Sequence, residues 1–466
     1  MLGSSANWPC SMPARPTSKL EEANDLLFRL VHADVKYILV SGNQLKKIRA
    51  IMDKLPLVEK IIVIDELPEY KEKEISWSEV FRMGKEYLAS HSLEDFLAVG
   101  QSLQNNDYAT ITYTSGTTAD PKGVILTHRN YTANVEQALS CVDIDDTWRT
   151  LIILPLDHCF AHVVGFYIFM SKGASVATVQ VGRTGLETLK NIPVNIKEFK
   201  PYLILSVPAL AKNFKKNIEQ GIRAQGKNIT RLFYFALKVA YIYNGDGGED
   251  KGRGVRFLLK PLVSLFDHVL FTKVRENFGG QLKFFIGGGA LLDKDLQKFY
   301  YAIGLPMYQG YGLSEATPVI STNGPHRHTF GSSGMLVRPL DLKICDADGK
   351  ELPAGEKGEI VIRGENVMAG YWKNPASTAD TVKEGWLYTG DMGYMRDGLL
   401  YVLGRFKSLL IGSDGEKYSP EGIEEALVEH SSCIDQLILY NNQSPYTTAL
   451  LVPNKERLRK HLAHQN

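Results

Sequence analysis

The sequence contains no apolar run of membrane-spanning length, so no transmembrane helix is predicted. Its opening residues have neither a basic n-region nor an apolar h-region, which argues against a secretory leader. Cysteine is scarce: five residues (Cys10, Cys141, Cys159, Cys345 and Cys433), odd in number, far apart and in no metal-ligand spacing. That usage suits a reducing compartment and predicts a cytoplasmic protein, with peripheral membrane contact and oligomerisation left open. Neither sign of charge dominates, since 53 basic against 52 acidic side chains leave +1, and nucleic acid is not an expected partner. There is no G-x-x-x-x-G-K-[ST] string, which disfavours kinase-type or GTPase-type chemistry. At 44% hydrophobic and 23% charged the composition is globular, and 466 residues exceed one core and suit two or three domains.

Against these absences stands the run Tyr113-Thr-Ser-Gly-Thr-Thr-Ala-Asp-Pro-Lys-Gly123. Gly116 and Gly123 permit positive φ, so successive N–H groups can converge on one anion. Ser115, Thr117 and Thr118 add donors and Lys122 a mobile positive charge. Tyr108–Tyr113 alternates as a strand and Val124–Leu126 reads as a second, so the run is predicted to be a phosphate-holding loop between two strands. A Ser/Thr-rich surface turn is the plain alternative, but turns rarely need such donor density.

Residues 19–98 and 127–320 alternate helical patterns with short strands, the mark of a layered α/β body. From 334 to 403 short strands are punctuated by Asp348-Gly349, Glu384-Gly385 and Asp397-Gly398, predicting a small β-rich subdomain. Residues 408–466 read as part of a small α+β domain. The predicted fold class is α/β: a large multi-layer body (1–403) that includes the β-rich 334–403, then a partial C-terminal domain. Residues 214–280 read as a helical insertion with a mobile tip at 244–252. Two apolar stretches within it, 231–243 and 256–271, fit buried helices or helices lying on a membrane surface, and burial is preferred for want of a dense basic face.

Three further segments are weak alone. Gly287-Gly-Gly-Ala290 after a predicted strand would let a flat ring or thin chain lie against bare backbone, though a tight βα turn explains it equally. In Gln309-Gly-Tyr-Gly-Leu-Ser-Glu-Ala-Thr-Pro318 a turn is expected to expose Tyr311, Glu315 and Thr317. Magnesium beside nucleotide phosphates takes only one or two carboxylates, which makes Glu315 the candidate metal ligand, with a glutamate at a helix start as the alternative. Tyr388-Thr-Gly-Asp391 and Gly404-Arg-Phe-Lys407 are common turns singly, but an aspartate and an arginine so held can grip a ribose. His158 and His162 have the spacing of a metal pair on one helix face, but two ligands without a third favour a pocket or core role.

Taken in order, these motifs, with the Gly358–Thr378 stretch GEIVIRGENVMAGYWKNPAST, resemble the acyl-adenylate-forming superfamily over nearly the whole chain. The texture around 214–290 is most like the long-chain fatty-acid branch. The resemblance implies ATP-dependent activation of a fatty acid to acyl-AMP and transfer to coenzyme A, with ATP, Mg2+, CoA and fatty acid as small-molecule partners. It also implies a role for each matching residue. Thr114, Ser115, Gly116, Thr117, Thr118 and Lys122 would hold the β and γ phosphates, and Gly288, Gly289 and Ala290 would flank adenine and the acyl group. Tyr311, followed by Gly312, would stack on adenine, Thr317 would bond the α-phosphate, and Glu315 would serve magnesium. Asp391 and Arg405 would grip ribose, His158 would line the acyl and CoA side, and 404–407 would be the hinge, centred on Lys407. Aliphatic and aromatic Phe160–Met170 could wall an acyl tunnel or a core helix.

Two departures shape the expectation. No Gly-Lys context after Lys417 supplies the family's C-terminal adenylation lysine, so weak or absent adenylation by this chain, a nucleotide-binding remnant, is the alternative reading. Gly3–Thr17 has no family likeness, whereas a good match begins at Lys19, so a frameshift near residue 18 is expected, to be decided by the coding DNA.

Overall fold

The structure is a computed structural model that describes residues 19–114, 121–182, 184–245, 247 and 253–405. Beyond these it describes 410–411, 417–418, 420, 423–424, 427–428, 431, 433–441, 444 and 446–463. Strands β1 (Tyr37–Val40), β2 (Lys60–Val63) and β3 (Glu74–Ser76) form a parallel sheet. Next comes the hairpin of β4 (Tyr108–Thr114) and β5 (Lys122–Thr127), paired in register from Thr110↔Leu126 to Thr114↔Lys122.

The centre of the fold is a seven-stranded sheet. Its strands are β6 (Arg149–Ile152), β7 (Ser175–Thr178), β8 (Leu203–Ser206), β9 (Phe284–Gly287), β10 (Met307–Gly312), β11 (Val319–Thr322) and β12 (Met335–Leu336). β6 to β10 run parallel and β11 and β12 antiparallel. A parallel sheet needs cover on both faces, which is why β8 and β9 are buried at every position. Successive side chains serve opposite cores: Phe285 packs with Phe233, Phe271 and Tyr300, while Phe284 and Ile286 pack with Trp148, Phe169 and Tyr308.

A third layer is the antiparallel sheet of β13 (Asp341–Cys345), β14 (Gly358–Arg363), β16 (Val382–Lys383), β17 (Trp386–Arg396) and β18 (Leu399–Arg405), while β15 (Gly370–Tyr371) joins β5 instead. The predicted punctuation works as turn chemistry. Glu384-Gly385 and Asp397-Gly398 have φ of 52° and 78°, and 51° and 69°, the left-handed pair that closes a two-residue hairpin with the twist of its strands. Val124, Leu126, Ile360 and Leu387 fill the core beneath. Further on, β19 (Leu410–Ile411) pairs β20 (Lys417–Tyr418) and β21 (Ile434–Tyr440) pairs β22 (Thr448–Pro453).

The insertion is helical, as the sequence suggests, with helices Pro208–Ala224, Lys227–Asn244 and Arg253–Phe266. Most of its expected tip, 246 and 248–252, lies outside the described residues. The preference for burial holds for one side only. Phe233, Leu237 and Ala240 are in the core, but Phe257 and Leu258 are 80% and 77% exposed. No helix among the described residues is long and apolar enough to cross a membrane.

Candidate active site

Parallel strands deliver backbone to the edge of a sheet where their carboxyl ends leave a crevice. β9 ends in Gly287 and β10 in Gly312, so the two glycine motifs, more than twenty positions apart in sequence, meet there. Between them opens a cavity of about 150 Å³. Its inner wall is apolar, from Ala138, Leu139, Val142, Val164, Ile168 and Leu203. Its rim carries His158, Phe160, Gly288, Gly289, Tyr311 and Ser314.

Phe160–Tyr167 is a π-helical turn, a widening that often marks a functional site, and it runs straight on into the Ile168–Ser171 helix. Residues 160–170 are thus core helix and cavity wall at once: Phe169 is fully buried in the core, while Phe160, Val164 and Ile168 line the cavity. Two glycines are explained by close approach. A Cβ on Gly288 would stand 3.0 Å from the Phe160 ring, and one on Gly312 would stand 2.0 Å from the Pro318 carbonyl oxygen. Gly289 has φ of +80°, a conformation glycine supplies without cost. Ala290 is exposed, and its carbonyl accepts from the Gln309 amide at 3.3 Å.

Thr114 faces Lys122 directly across β4 and β5, so both ends of the glycine-and-hydroxyl loop are fixed at one place. Ser115, Gly116, Thr117 and Thr118 lie outside the described residues, as do Phe406 and Lys407 of the expected hinge. Lys122 projects its Nζ over the Tyr371 ring, 4.9 Å from the centroid. The Tyr371 hydroxyl donates to Glu315 Oε1 at 2.9 Å. A cation, an aromatic ring and a carboxylate thus stand in sequence at the mouth of the loop. Burial, then the neighbouring Glu315 charge, pushes the Tyr371 phenol well above its ordinary range, so it stays a donor to that carboxylate.

Tyr311 donates its hydroxyl to Asp391 Oδ2 at 2.7 Å, and Arg405 Nε meets Asp391 Oδ1 at 3.1 Å. Asp391 and Arg405 are direct cross-strand partners in β17 and β18, which is why motifs fourteen residues apart deliver one paired site. Burial and then Asp391 raise the Tyr311 phenol far above its usual range. Tyr311, Asp391 and Arg405, expected from the sequence to meet adenine and ribose, therefore form one hydrogen-bonded unit.

Thr317 corrects the expectation that the turn exposes it. The residue is fully buried, and its hydroxyl donates to the Asn366 carbonyl at 2.7 Å. Its left-handed backbone, φ 62° and ψ 38°, turns the chain inward after the short helix Ser314–Ala316. Positive φ in a β-branched residue persists only where the surroundings impose it, as here Asn366 does by also donating to the Ala316 carbonyl at 2.9 Å.

His158 is exposed on the cavity rim, whereas His162 is buried, with its ring bonded to the Leu156 carbonyl at 2.9 Å and the Tyr131 hydroxyl at 3.2 Å. The two histidines make no metal pair, and no cluster of three His, Cys, Asp or Glu suited to a metal occurs among the described residues. A phosphate-bound, largely hydrated magnesium ion would need only one or two carboxylates, and Glu315, half-buried with one oxygen bonded to Tyr371, would be the residue to supply one. Cys159, buried beside it, has its thiol pushed up to about 11 by desolvation, which disfavours the thiolate.

Sequence reasoning missed Tyr371 and Asn366. Both stand in the recognised Gly358–Thr378 stretch, and each acts on the turn at Glu315–Thr317 some 50 positions earlier, as the pairs 315/371 and 317/366 show. The signal available was the stretch itself, rich in Asn, Tyr and Gly between strands.

The family model for AMP-binding enzyme matches residues 10–372, and the chain belongs to that family. It is 30% identical over 418 residues to the probable acyl-activating enzyme 16, chloroplastic, of Arabidopsis thaliana, covering 82% of this chain and 56% of the relative. It is 32% identical over 360 residues to the long-chain-fatty-acid–CoA ligase FadD15 of Mycobacterium bovis, covering 76% and 56%. The chain thus spans little more than half the length of these curated relatives. In fold it matches the o-succinylbenzoate coenzyme A synthetase MenE of Bacillus subtilis in complex with ATP and magnesium ion, with TM-score 0.61 and 22% identity over 93% of this chain and 72% of that one. The α/β fold read from the sequence is that of the acyl-adenylate-forming enzymes.

Proposed function

We propose that this chain binds ATP across the site described and activates a long-chain fatty acid as acyl-AMP for transfer to coenzyme A. The observation that carries the acyl half is the cavity beside His158, Phe160 and Gly288, because walls that are mostly hydrocarbon, with Ser321 and Thr322 among their few buried polar groups, fit an aliphatic tail. The likeness to a long-chain-fatty-acid–CoA ligase supports the same class.

In this reading a fatty carboxylate oxygen bonds to the α-phosphorus of ATP as the bond to the bridging oxygen of pyrophosphate breaks. Lys122, at the end of the phosphate loop, places positive charge where the pyrophosphate leaves. Glu315 would hold magnesium, which supplies further charge neutralisation when bound. Thr317, buried against Asn366, holds the turn that carries Glu315, and Asp391 with Arg405 would accept from and donate to the ribose. Sulfur of CoA then displaces AMP from the acyl carbon and loses its proton. Positioning and electrostatics suffice, and no protein nucleophile is used. Among the described residues Cys141, Cys159 and Cys345 are buried free thiols, which supports a cytoplasmic setting.

The test is a competition series with acyl-sulfamoyl adenosines, alongside pyrophosphate release with palmitate and ATP. Tighter binding with tail length, together with pyrophosphate release, is expected. Tail-dependent binding without pyrophosphate marks the nucleotide-binding alternative. Equal or better binding of an acetyl or aromatic analogue ends the fatty-acid assignment.

A further inference from the structure

The Lys227–Asn244 and Arg253–Phe266 helices carry apolar residues on more of their circumference than the core covers. Leu259, Leu262 and Val263 pack inward and Phe266 is buried. Phe257, Leu258, Pro261 and Leu265, spaced to share one helical face, point to solvent, and Val269 continues the row. On the neighbouring helix Phe235 and Ile242 are 52% and 56% exposed. Phe235 stands edge-on to Phe266 at 5.8 Å, so the two helices meet beside their exposed faces. An uncovered apolar row of this kind marks a docking surface.

Charge identifies the occupant. Neither helix contains a single Asp or Glu, while Lys227, Arg231, Lys238 and Lys260 are exposed along them. Arg256 is turned inward, donating to the Tyr243 and Asn244 carbonyls at 2.8 and 3.1 Å, and does not belong to the face. The acids Asp246, Glu249 and Asp250 sit in the connector between the helices, outside the described residues. A second copy would bring the same cations against these, which like-charge repulsion disfavours. Exposed phenylalanine and leucine flanked by lysine and arginine on acid-free helices are what an anionic lipid surface selects, because the rings and branched chains enter the boundary of the acyl region and the cations reach phosphate.

We infer that the exposed face of these two helices docks on an anionic phospholipid bilayer, with Phe257, Leu258 and Leu265 entering it and Arg231, Lys238 and Lys260 meeting the headgroup phosphates. The inference is independent of which acid the active site takes.

Co-sedimentation of the whole chain with phosphatidylcholine vesicles, with and without phosphatidylglycerol, tests it. Binding to the anionic vesicles should exceed that to neutral ones by about tenfold or more and fall as salt is raised. The double change Phe257→Ser with Leu258→Ser should lower it by about tenfold, since binding scales with buried apolar area. Lys238→Gln with Lys260→Gln, which leaves the apolar row intact, should lower it by a similar factor. Matching thermal melts would show that the fold is retained in both. A wild-type chain that stays in the supernatant with anionic vesicles overturns the inference, as does a Gln double variant that sediments like wild type. Light scattering that shows a dimer dissociated by the Ser double variant, without vesicle binding, assigns the face to a second copy and overturns it equally.

Discussion

The phenol of Tyr311 and the carboxylate of Asp391 are joined by a 2.7 Å hydrogen bond across 80 positions of sequence. It ties the end of β10 to the β17–β18 hairpin, and the other carboxylate oxygen is held by Arg405. Under the proposed function one aspartate has two jobs: holding the Tyr311 ring in place and accepting from a ribose hydroxyl.

These jobs separate by mutation. Tyr311→Phe keeps the ring but removes one donor to a buried carboxylate, and should destabilise the chain by about 1.5–3 kcal/mol in urea titrations. Because it leaves the Asp391 carboxylate and the aromatic ring in place, its affinity for adenine nucleotide should stay within about threefold of wild type. Asp391→Ala should weaken nucleotide binding by about tenfold or more, the loss of one charge-assisted contact. If Tyr311→Phe weakens nucleotide as much as Asp391→Ala does, the phenol itself touches the ligand and the division of labour is wrong.

How much of this was legible depends on how local the cause is. The β4–β5 hairpin could be read because alternation and turn residues are local signals, and so could Glu384-Gly385 and Asp397-Gly398, whose left-handed turns ask for such residues. The partners of buried amides could not. Asn134 bonds the backbone of Val319, 185 positions away, through both its amide atoms, and no periodicity reports such a pairing. Thr317 was misread for a related reason: its inward turn is imposed by Asn366, a residue from a different strand region. The Arg253–Phe266 helix shows the limit of hydrophobic pattern itself, since an apolar face is written identically whether core or solvent lies against it.

Two glycines at the site make opposite predictions. A methyl at Gly312 has no escape, because the atoms 2.0 and 2.7 Å away are the Pro318 carbonyl oxygen and carbon, and that carbonyl already accepts from the Leu313 N–H at 3.0 Å. Gly312→Ala should cost about 3 kcal/mol or more, at the upper end for overpacking, and displace the Tyr311–Thr317 turn. At Gly288 the nearest atoms belong to the Phe160 ring at 3.0 Å, a side chain that can rotate aside. Gly288→Ala should therefore cost less than about 1.5 kcal/mol while changing the tail-length preference in the acyl-sulfamoyl series. Equal stabilities for the two variants in urea titrations would contradict the distinction between backbone and side-chain neighbours.

His162 sets an acid limit on stability. A carbonyl only accepts, so Nδ1 carries the ring proton toward Leu156, and the Tyr131 hydroxyl donates to Nε2, which leaves the neutral imidazole fully bonded. Burial depresses its pKa, outweighing the Leu156 carbonyl, and burial lowers His328 in the same direction. A histidine with a lowered folded pKa is charged in the unfolded chain first. Between that lowered value and the ordinary one of about 6.5, the unfolded state holds more protons, so stability falls as pH falls and is fully present above the window. Each pH unit crossed costs up to about 1.4 kcal/mol per such histidine. Urea midpoints should therefore drop from about pH 7.5 to about pH 5.5 in the wild-type chain, and drop less in His162→Gln, which has no proton to gain. The same decline in both proteins would place the acid sensitivity elsewhere than in this ring.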